Sequence, residues 1–410
     1  MMKKRWDLDK DLTALRQEFP VLKNSVYLIS NSLGAVPKST LMKLMQFYDL
    51  WAEEGVSAWK NEWWDLSERV GNKISSLLNA DQGSITMIPN ATQAHWIALS
   101  TKFLSGEKNR DKIVMTDQDF PSSMYSIIKI SEFMGWQVEI VRCGNKPFIE
   151  AGDIISRVDE KTLFVASSHI YFKSAHVQNI ETIAAHARRM GALSLIDGYH
   201  ASGCYPVDLK KLGVDFYIGG CLKWLCGGPG TGFLYVRPDL ASSLEPQLTG
   251  WFAHKNPFAF SENMEFSDGH FKFLSGTPPI PCLYTADAGL DFIADVGVQE
   301  IRKKSVSQTN TIASKSKERN FRLCTPEQSS LRGGAVSVSM PHAFQVKQAL
   351  EEKKIKVDFR KGNNHEPDVI RIGPHFYTRD EELNILFNEI DAIYESHTYK
   401  KYPEEIGGVT

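Results

Sequence analysis

The stretch from Leu193 to Arg237 constrains this chain more than any other. A short apolar run (Leu193, Leu195, Ile196) stops abruptly at Asp197, as a buried parallel strand stops at its carboxyl edge. A second run, Val214 to Ile218, delivers Lys223. A glycine-rich loop, Gly227 to Gly232, then turns at once into a third run, Phe233 to Val236. Open α/β sheets gather ligands at the carboxyl edge of their strands. The pattern therefore places one carboxylate and one amine at the mouth of a single sheet.

The rest of the chain supports that sheet. From Ser84 onwards short apolar runs (85–88, 112–116, 136–141, 162–168, 192–197) alternate with helical periods (91–103, 124–134, 180–190). This alternation is the signature of βαβ crossovers and a mostly parallel sheet. After about residue 290 the pattern changes to a long charged helix (298–319), then runs at 335–340, 355–359 and 369–373 with a helix at 343–353. That reads as a small α+β domain. Before the sheet, residues 1–20 read as a charged amphipathic helix ended by Pro20. An extended piece follows at 26–30, then the turn-rich loop NSLGAVPKS, and a helix opened by Pro37 and running to Tyr48. The tryptophan-rich stretch 51–64 and a helix over 66–78 complete it. The expected division is an N-terminal segment (1–45) packed on the small domain, a large domain (46–290) and a small C-terminal domain (291–410), whose tail from Thr398 is polar.

Charge and cysteine usage exclude several classes. The 410 residues carry a formal charge of −2, which offers no global field for nucleic acid or an anionic membrane. The six cysteines form no CxxC pair and no zinc spacing, so no metal site is expected and the thiols read as reduced. The basic N-terminus lacks the apolar core of a secretory signal. No apolar run approaches a membrane span, taken as about 18 residues. A soluble, cytoplasmic protein is expected.

Asp197 and Lys223 suit pyridoxal phosphate (PLP). A lysine amine forms a Schiff base with its aldehyde, and a carboxylate keeps the pyridine nitrogen protonated so that the ring is an electron sink. A phosphate needs backbone N–H donors at a helix start with hydroxyls beside them. Pro89–Gln93, with Ala91 and Thr92, offers both, although an ordinary helix cap would look the same. After another strand, Phe120 is placed to lie flat on the ring, and Ser122 and Ser123 cap the next helix within reach of the phosphate. His200 supports Asp197 or faces the ring. Arg371, late in VIRIG, has the fork that clamps a carboxylate.

With Asp197…His200, GGCLKWLCGGPGTGFLYV, TGWFAHKNPFAF (249–260) and FLSGTPP (273–279), the sequence resembles the kynureninases, which belong to the class V group of fold-type I PLP enzymes. NSLGAVPK (31–38), AWKNEWWDLSERVGNKI (58–74), RGGAVSVSMP and VDFR (357–360) extend the resemblance along most of the chain. The resemblance implies a fold-type I transferase fold, with a large domain around a mostly parallel seven-stranded sheet and a smaller α+β domain. It assigns Lys223 as the Schiff-base lysine, Asp197 as the pyridinium partner with His200 nearby, and Phe120 as the stacking ring. Ala91, Thr92 and Ser122 or Ser123 serve the phosphate. Trp251 and Thr277 belong to the cofactor site near a dimer interface, implying a homodimer. Arg371 binds the substrate α-carboxylate, with Asn31 and Ser32 close by. The implied activity is Cβ–Cγ hydrolysis of kynurenine or a related amino acid to alanine and an aromatic acid. Three departures stand out. Leu222 replaces the tyrosine that in the family precedes the lysine, holds the phosphate and takes part in proton transfer. The family's DLAH is DGYH here, and IRIGPHFYT (370–378) resembles the general class V ending more than the kynureninase one. If the hydroxyl is still needed, Tyr171 or Tyr199 is the candidate to supply it. Otherwise the chemistry is that of another class V enzyme, such as a C–S lyase, epimerase or aminotransferase.

Overall fold

The apolar runs between Ile85 and Val236 form one seven-stranded sheet. The structure is a computed structural model that describes residues 6–8, 10–103, 110–144, 146–362 and 366–404. Its strands are β1 (Ile85–Ile88), β2 (Lys112–Thr116), β3 (Gln137–Val141), β4 (Thr162–Ser168), β5 (Leu193–Asp197), β6 (Phe216–Gly220) and β7 (Gly232–Val236). Across the sheet they lie in the order β1-β7-β6-β5-β4-β2-β3. The pairings from β6 through to β3 are parallel, and β7 runs against both β1 and β6. β4, β6 and β7 are buried at every position. They are covered on both faces and so read as continuous apolar runs rather than alternating ones.

Helices cover both faces. Leu195, Phe216 and Ile218 meet a layer built from Ala91–Ser100 and Pro121–Met134. On the other face Val165, Ile196 and Tyr217 meet Leu66–Leu77, Ile180–Arg189 and Ile280–Val296. The last of these is absent from the sequence reading. It is buried at Ile280, Leu283, Tyr284, Ala286, Ala288, Gly289, Leu290 and Ile293, so it shows no clean polar face from which a helical period could be read.

Beyond the long helix Val298–Glu318, the strands β8 (Arg322–Leu323), β9 (Val336–Ser339), β10 (Asp358–Arg360) and β11 (Val369–Ile372) form a second, antiparallel sheet in the order β10-β11-β9-β8. Ala343–Glu352 and Asp380–Glu395 close its core. The expected single run at 355–359 is two strands. Ile355–Lys356 pairs in parallel with Val26–Tyr27, and the chain changes partner at Val357 so that Asp358–Arg360 pairs with β11.

The N-terminal helix is shorter than expected, Leu12–Gln17, followed by a 3₁₀ turn over Pro20–Lys23. Asp7 and Asp11 take backbone N–H groups of the preceding turn onto their side chains, competing with helix formation there. Residues 1–5 of that expected helix, and 405–410 of the polar tail, lie outside the described residues. Arg16 reaches from this helix to Glu382, donating from Nη1 (2.7 Å) and Nη2 (2.9 Å), and also gives a hydrogen bond to the Tyr377 carbonyl at 2.6 Å. Both side chains are 9% exposed. Removing one member of such a buried pair strands the other charge, so Arg16→Ala is expected to cost about 3–5 kcal/mol in a urea unfolding titration. A loss under about 1 kcal/mol would show that the fork contributes no more than a surface pair.

Candidate active site

The lysine loop is fixed by backbone contacts from three directions. Cys221 N–H donates to the Thr231 carbonyl (3.1 Å) and Gly227 N–H to the Cys221 carbonyl (2.8 Å), closing the loop on itself. Gly34 N–H, from the N-terminal loop, donates to the Leu222 carbonyl at 2.8 Å. Gly34 lies so close that a Cβ would overlap the Lys223 carbonyl oxygen, and Gly289 of the helix 280–296 lies as close to Leu225 and Cys226. Cys226 turns the chain at φ 54°, a left-handed conformation that costs a non-glycine residue about 1 kcal/mol.

This clamp points the Lys223 amine into a site of defined polarity. Nζ lies 2.8 Å from His200 Nε2, 4.6 Å from the centre of the Tyr199 ring and 5.4 Å from that of Phe120. Burial, reinforced by the Arg371 charge and opposed by Asp197, lowers its pKa to about 7. Burial and the Lys223 charge push His200 well below its ordinary value, so it is neutral. Asp197, at the end of β5, is buried and receives the Tyr199 N–H (2.9 Å) and the Ser123 hydroxyl (3.0 Å). Ser123 is thus committed to the carboxylate and not to a phosphate. Nor do the two serines cap the following helix: Pro121 opens it after Phe120, and they fall in its first turn.

Asn90 caps the helix 91–100 by accepting the Gln93 N–H at 2.9 Å. The start of that helix approaches Gly232, where a Cβ would lie 3.3 Å from Ala91 N. Thr92 is exposed there, and Ser122 is half-buried on the neighbouring helix. His95, unnoticed in the sequence, is buried on the same helix with Nδ1 2.8 Å from the Ala91 carbonyl, and the Asp197 charge acts on it. Trp251 and Thr277 lie apart in this chain. Trp251, 40% exposed, donates to the Pro257 carbonyl (2.6 Å) inside a cluster with Trp64, Phe258 and Phe260. Thr277 is exposed. Among the described residues no hydrogen bond or ring contact joins either of them to Lys223, Asp197 or His200.

Arg371 is 2% exposed and does not stand alone. Its Nη2 pairs with Asp358, which faces it across β10 and β11, and its Nη1 donates to the Phe172 carbonyl at 2.5 Å. Asp358 also holds Arg360 (2.7 Å) and receives Asn31 Nδ2 (3.4 Å). Burial lowers Arg371 to about 10, with Asp358 opposing the shift. Two guanidiniums around one carboxylate leave a net positive pocket, while Arg371 Nε and Asn31 Oδ1 have no hydrogen-bond partner among the described residues. Asp358 and Arg360 read in the sequence only as part of the motif VDFR, because pairing through an antiparallel register leaves no local mark there. Ser32, next to Asn31, is half-buried. Tyr171 is fully buried, bonded to Ser167 (3.1 Å) and Gln178 (3.3 Å), and is not available to Lys223. Tyr199 is.

These residues fit PLP. A lysine whose amine is partly neutral, a carboxylate oriented by two donors, a phenylalanine facing the amine and a glycine-permitted helix start are what its aldehyde, ring nitrogen, ring face and phosphate require. Fold and site define a PLP-dependent enzyme of fold-type I. Residues 26–386 match the family model described as Aminotransferase class-V, and the chain belongs to that family. It is 29% identical to the kynureninase of Pseudomonas fluorescens over 380 residues, covering 90% of this chain and 88% of that one. It is 28% identical to the kynureninase of Burkholderia pseudomallei (strain 1106a) over 384 residues, 91% of this chain and 90% of the other. Among solved structures, the apo cysteine desulfurase of Thermococcus onnurineus NA1 superposes with a TM-score of 0.83 at 19% identity, covering 94% of this chain and 98% of that one. The cystine C–S lyase C-DES, in complex with its product cysteine persulfide, gives 0.81 at 22% identity, covering 91% and 98%.

The lowered lysine pKa gives cofactor loading a pH dependence. Below about 7 the amine is protonated and has no lone pair for the aldehyde. The rate at which apoenzyme takes up PLP should therefore rise with pH through about 7 and level off above it, in stopped-flow mixing. A rate still climbing tenfold per unit at pH 9 would mean that the amine keeps its ordinary value.

Proposed function

We propose that this chain is a kynureninase-type hydrolase that cleaves the Cβ–Cγ bond of kynurenine or a related amino acid, giving alanine and an aromatic acid. The observation that carries the reading is similarity to kynureninases along nine-tenths of both chains. When bound, PLP supplies an aldehyde for the substrate amine and a ring that accepts the electrons left at Cα. Everything else falls to the chain. Asp197, held by Ser123 and the Tyr199 N–H, keeps negative charge at the ring nitrogen. Phe120 covers a ring face, while Ala91, Thr92 and Ser122 receive the phosphate. Arg371, with Asn31 and Ser32 beside it, takes the substrate carboxylate. Lys223, neutral in an appreciable fraction near pH 7, removes the Cα proton, and neutral His200 at 2.8 Å shares its hydrogen bond. Water then attacks the side-chain carbonyl.

Leu222 supports a second reading, another class V activity such as a C–S lyase, epimerase or aminotransferase. Transfer of sulfur onto a protein thiol is less well supported. It needs a thiolate, and burial pushes all six cysteines up, Cys143 to about 11 and Cys204 and Cys221 to about 12.

The chain is further proposed to work as a homodimer. Leu41, Met45 and Tyr48 follow one face of the helix Ser39–Glu54 and are 55–66% exposed, an apolar stripe that a second copy would cover.

Holoenzyme given kynurenine or 3-hydroxykynurenine should release alanine and the corresponding anthranilate, followed by mass spectrometry. Leu222→Tyr should raise that turnover by about 10-fold or more, since a positioned acid is worth about 10²–10⁴-fold. No cleavage by either form would remove the kynureninase reading and leave the class V assignment standing. Asp358→Asn should raise KM for the amino acid by about tenfold or more with PLP retained, because Arg371 loses the partner that aims it. A fall in kcat at constant KM would count against Arg371 as the carboxylate site.

A further inference from the structure

The tyrosine that the resemblance leads one to expect before the lysine is missing, yet a phenol lies in the same site. Tyr199 enters two residues after Asp197 with its N–H on that carboxylate, and its ring centre is 4.6 Å from Lys223 Nζ. The ring lies across the end of β6. A Cβ on Gly220 would overlap both the ring and the hydroxyl oxygen of Tyr199, so the hydroxyl rests against the Gly220 backbone. Gly220 pairs directly with Gly232 across the antiparallel β6–β7 ladder. Opposed residues in such a pair direct their substituents to the same face. On that face at Gly232 lies the start of the helix 91–100, where a Cβ would be 3.1 Å from the Asn90 carbonyl carbon and 3.3 Å from Ala91 N. Neighbouring glycines thus admit, side by side, a phenol hydroxyl and the N–H groups of a helix N-terminus. Among the described residues that hydroxyl has no hydrogen-bond partner. Burial raises the Tyr199 pKa, so the phenol stays protonated and able to donate.

We infer that the Tyr199 hydroxyl donates a hydrogen bond to the cofactor phosphate, supplying from the far side of the lysine the hydroxyl that Leu222 lacks. The side chain then has two tasks. Its ring forms the wall opposite Phe120, and its oxygen completes the phosphate cup formed by Ala91, Thr92 and Ser122. The glycine at 220 is required because any side chain there would occupy the place of the phenol. The inference rests on PLP as the cofactor and is independent of which amino acid is the substrate.

Tyr199→Phe tests it by removing one oxygen and leaving the ring, so the fold should survive, as a thermal melt will verify. Apoenzymes of wild type and variant would be dialysed to equilibrium against PLP and, separately, against pyridoxal, which has the aldehyde and ring but no phosphate. A hydrogen bond to a charged group is worth about 1.5–3 kcal/mol, so the Kd for PLP should rise about tenfold to a hundredfold. Pyridoxal affinity should change by less than about threefold. Equal weakening of both ligands would assign Tyr199 to the ring alone, and unchanged PLP affinity would leave its hydroxyl without a role; either result overturns the inference. The ³¹P resonance of bound PLP supplies a second measurement. It should shift between wild type and Tyr199→Phe, and an unmoved resonance would also count against the contact.

Discussion

The site depends on keeping a lysine amine uncharged inside the protein. Desolvation is the largest cause of the shift that brings Lys223 to about 7, and the neighbouring guanidiniums Arg371 and Arg360 add to it. Too strong a positive field would drive the amine's pKa lower still. Two carboxylates moderate the field from opposite sides. Asp197 acts from the sheet edge, and Asp358 sits between the two arginines. The same low polarity keeps His200 neutral, so a hydrogen bond and not a second charge faces the lysine. Removing either carboxylate would lower the amine's pKa further, and removing either guanidinium would raise it.

That electrostatic balance requires parts of the chain distant in sequence to meet within hydrogen-bond distance, and backbone contacts achieve this. Gly34 on the Lys223 carbonyl, Gly289 on Leu225 and Cys226, and Gly373 against the Asn31 side chain are positions where one extra carbon would displace a functional segment. The N-terminal loop therefore couples the two sheets. Its Asn31 touches Asp358 in the small sheet, and its Gly34 bonds to Leu222 in the lysine loop. Tyr377 ties the same loop down by hydrogen bonds to Ser30 and to the Ala35 N–H. A shift of the small sheet would carry the Arg371–Asp358 pair, the loop and the lysine loop together.

The elements that read clearly in the sequence are those with a local cause. Strands buried on both faces announce themselves as apolar runs, and a carboxylate ending one of them is conspicuous, so Asp197 and Lys223 were legible. So was the helix start at Ala91, from its cap. Relations made by tertiary pairing were not. Nothing local to Asp358 shows that Arg371 lies opposite it, and nothing near Ser123 shows that its hydroxyl turns to Asp197 while Ser122 does not. The same limit applied to Tyr171 and Tyr199, equally plausible as hydroxyl donors until the fold buried one and aimed the other at the lysine.

Two of the three departures from the kynureninase pattern fall close together in space. Tyr199 and Leu222 both precede Lys223 and follow different strands, yet the phenol overlies Gly220, two residues before Leu222. Two aromatic rings already approach the amine, Phe120 at 5.4 Å and Tyr199 at 4.6 Å. Meanwhile the groups proposed to handle the atoms common to every α-amino acid, Lys223, Asp197 and Arg371, are all present. The reactions proposed for this chain, hydrolase, C–S lyase, epimerase or aminotransferase, would all begin with removal of the Cα proton and part company after it. Substitutions at 199 and 222, close to the amine, would leave that shared step in place, so they bear on which of these reactions follows and not on whether the Cα proton is removed.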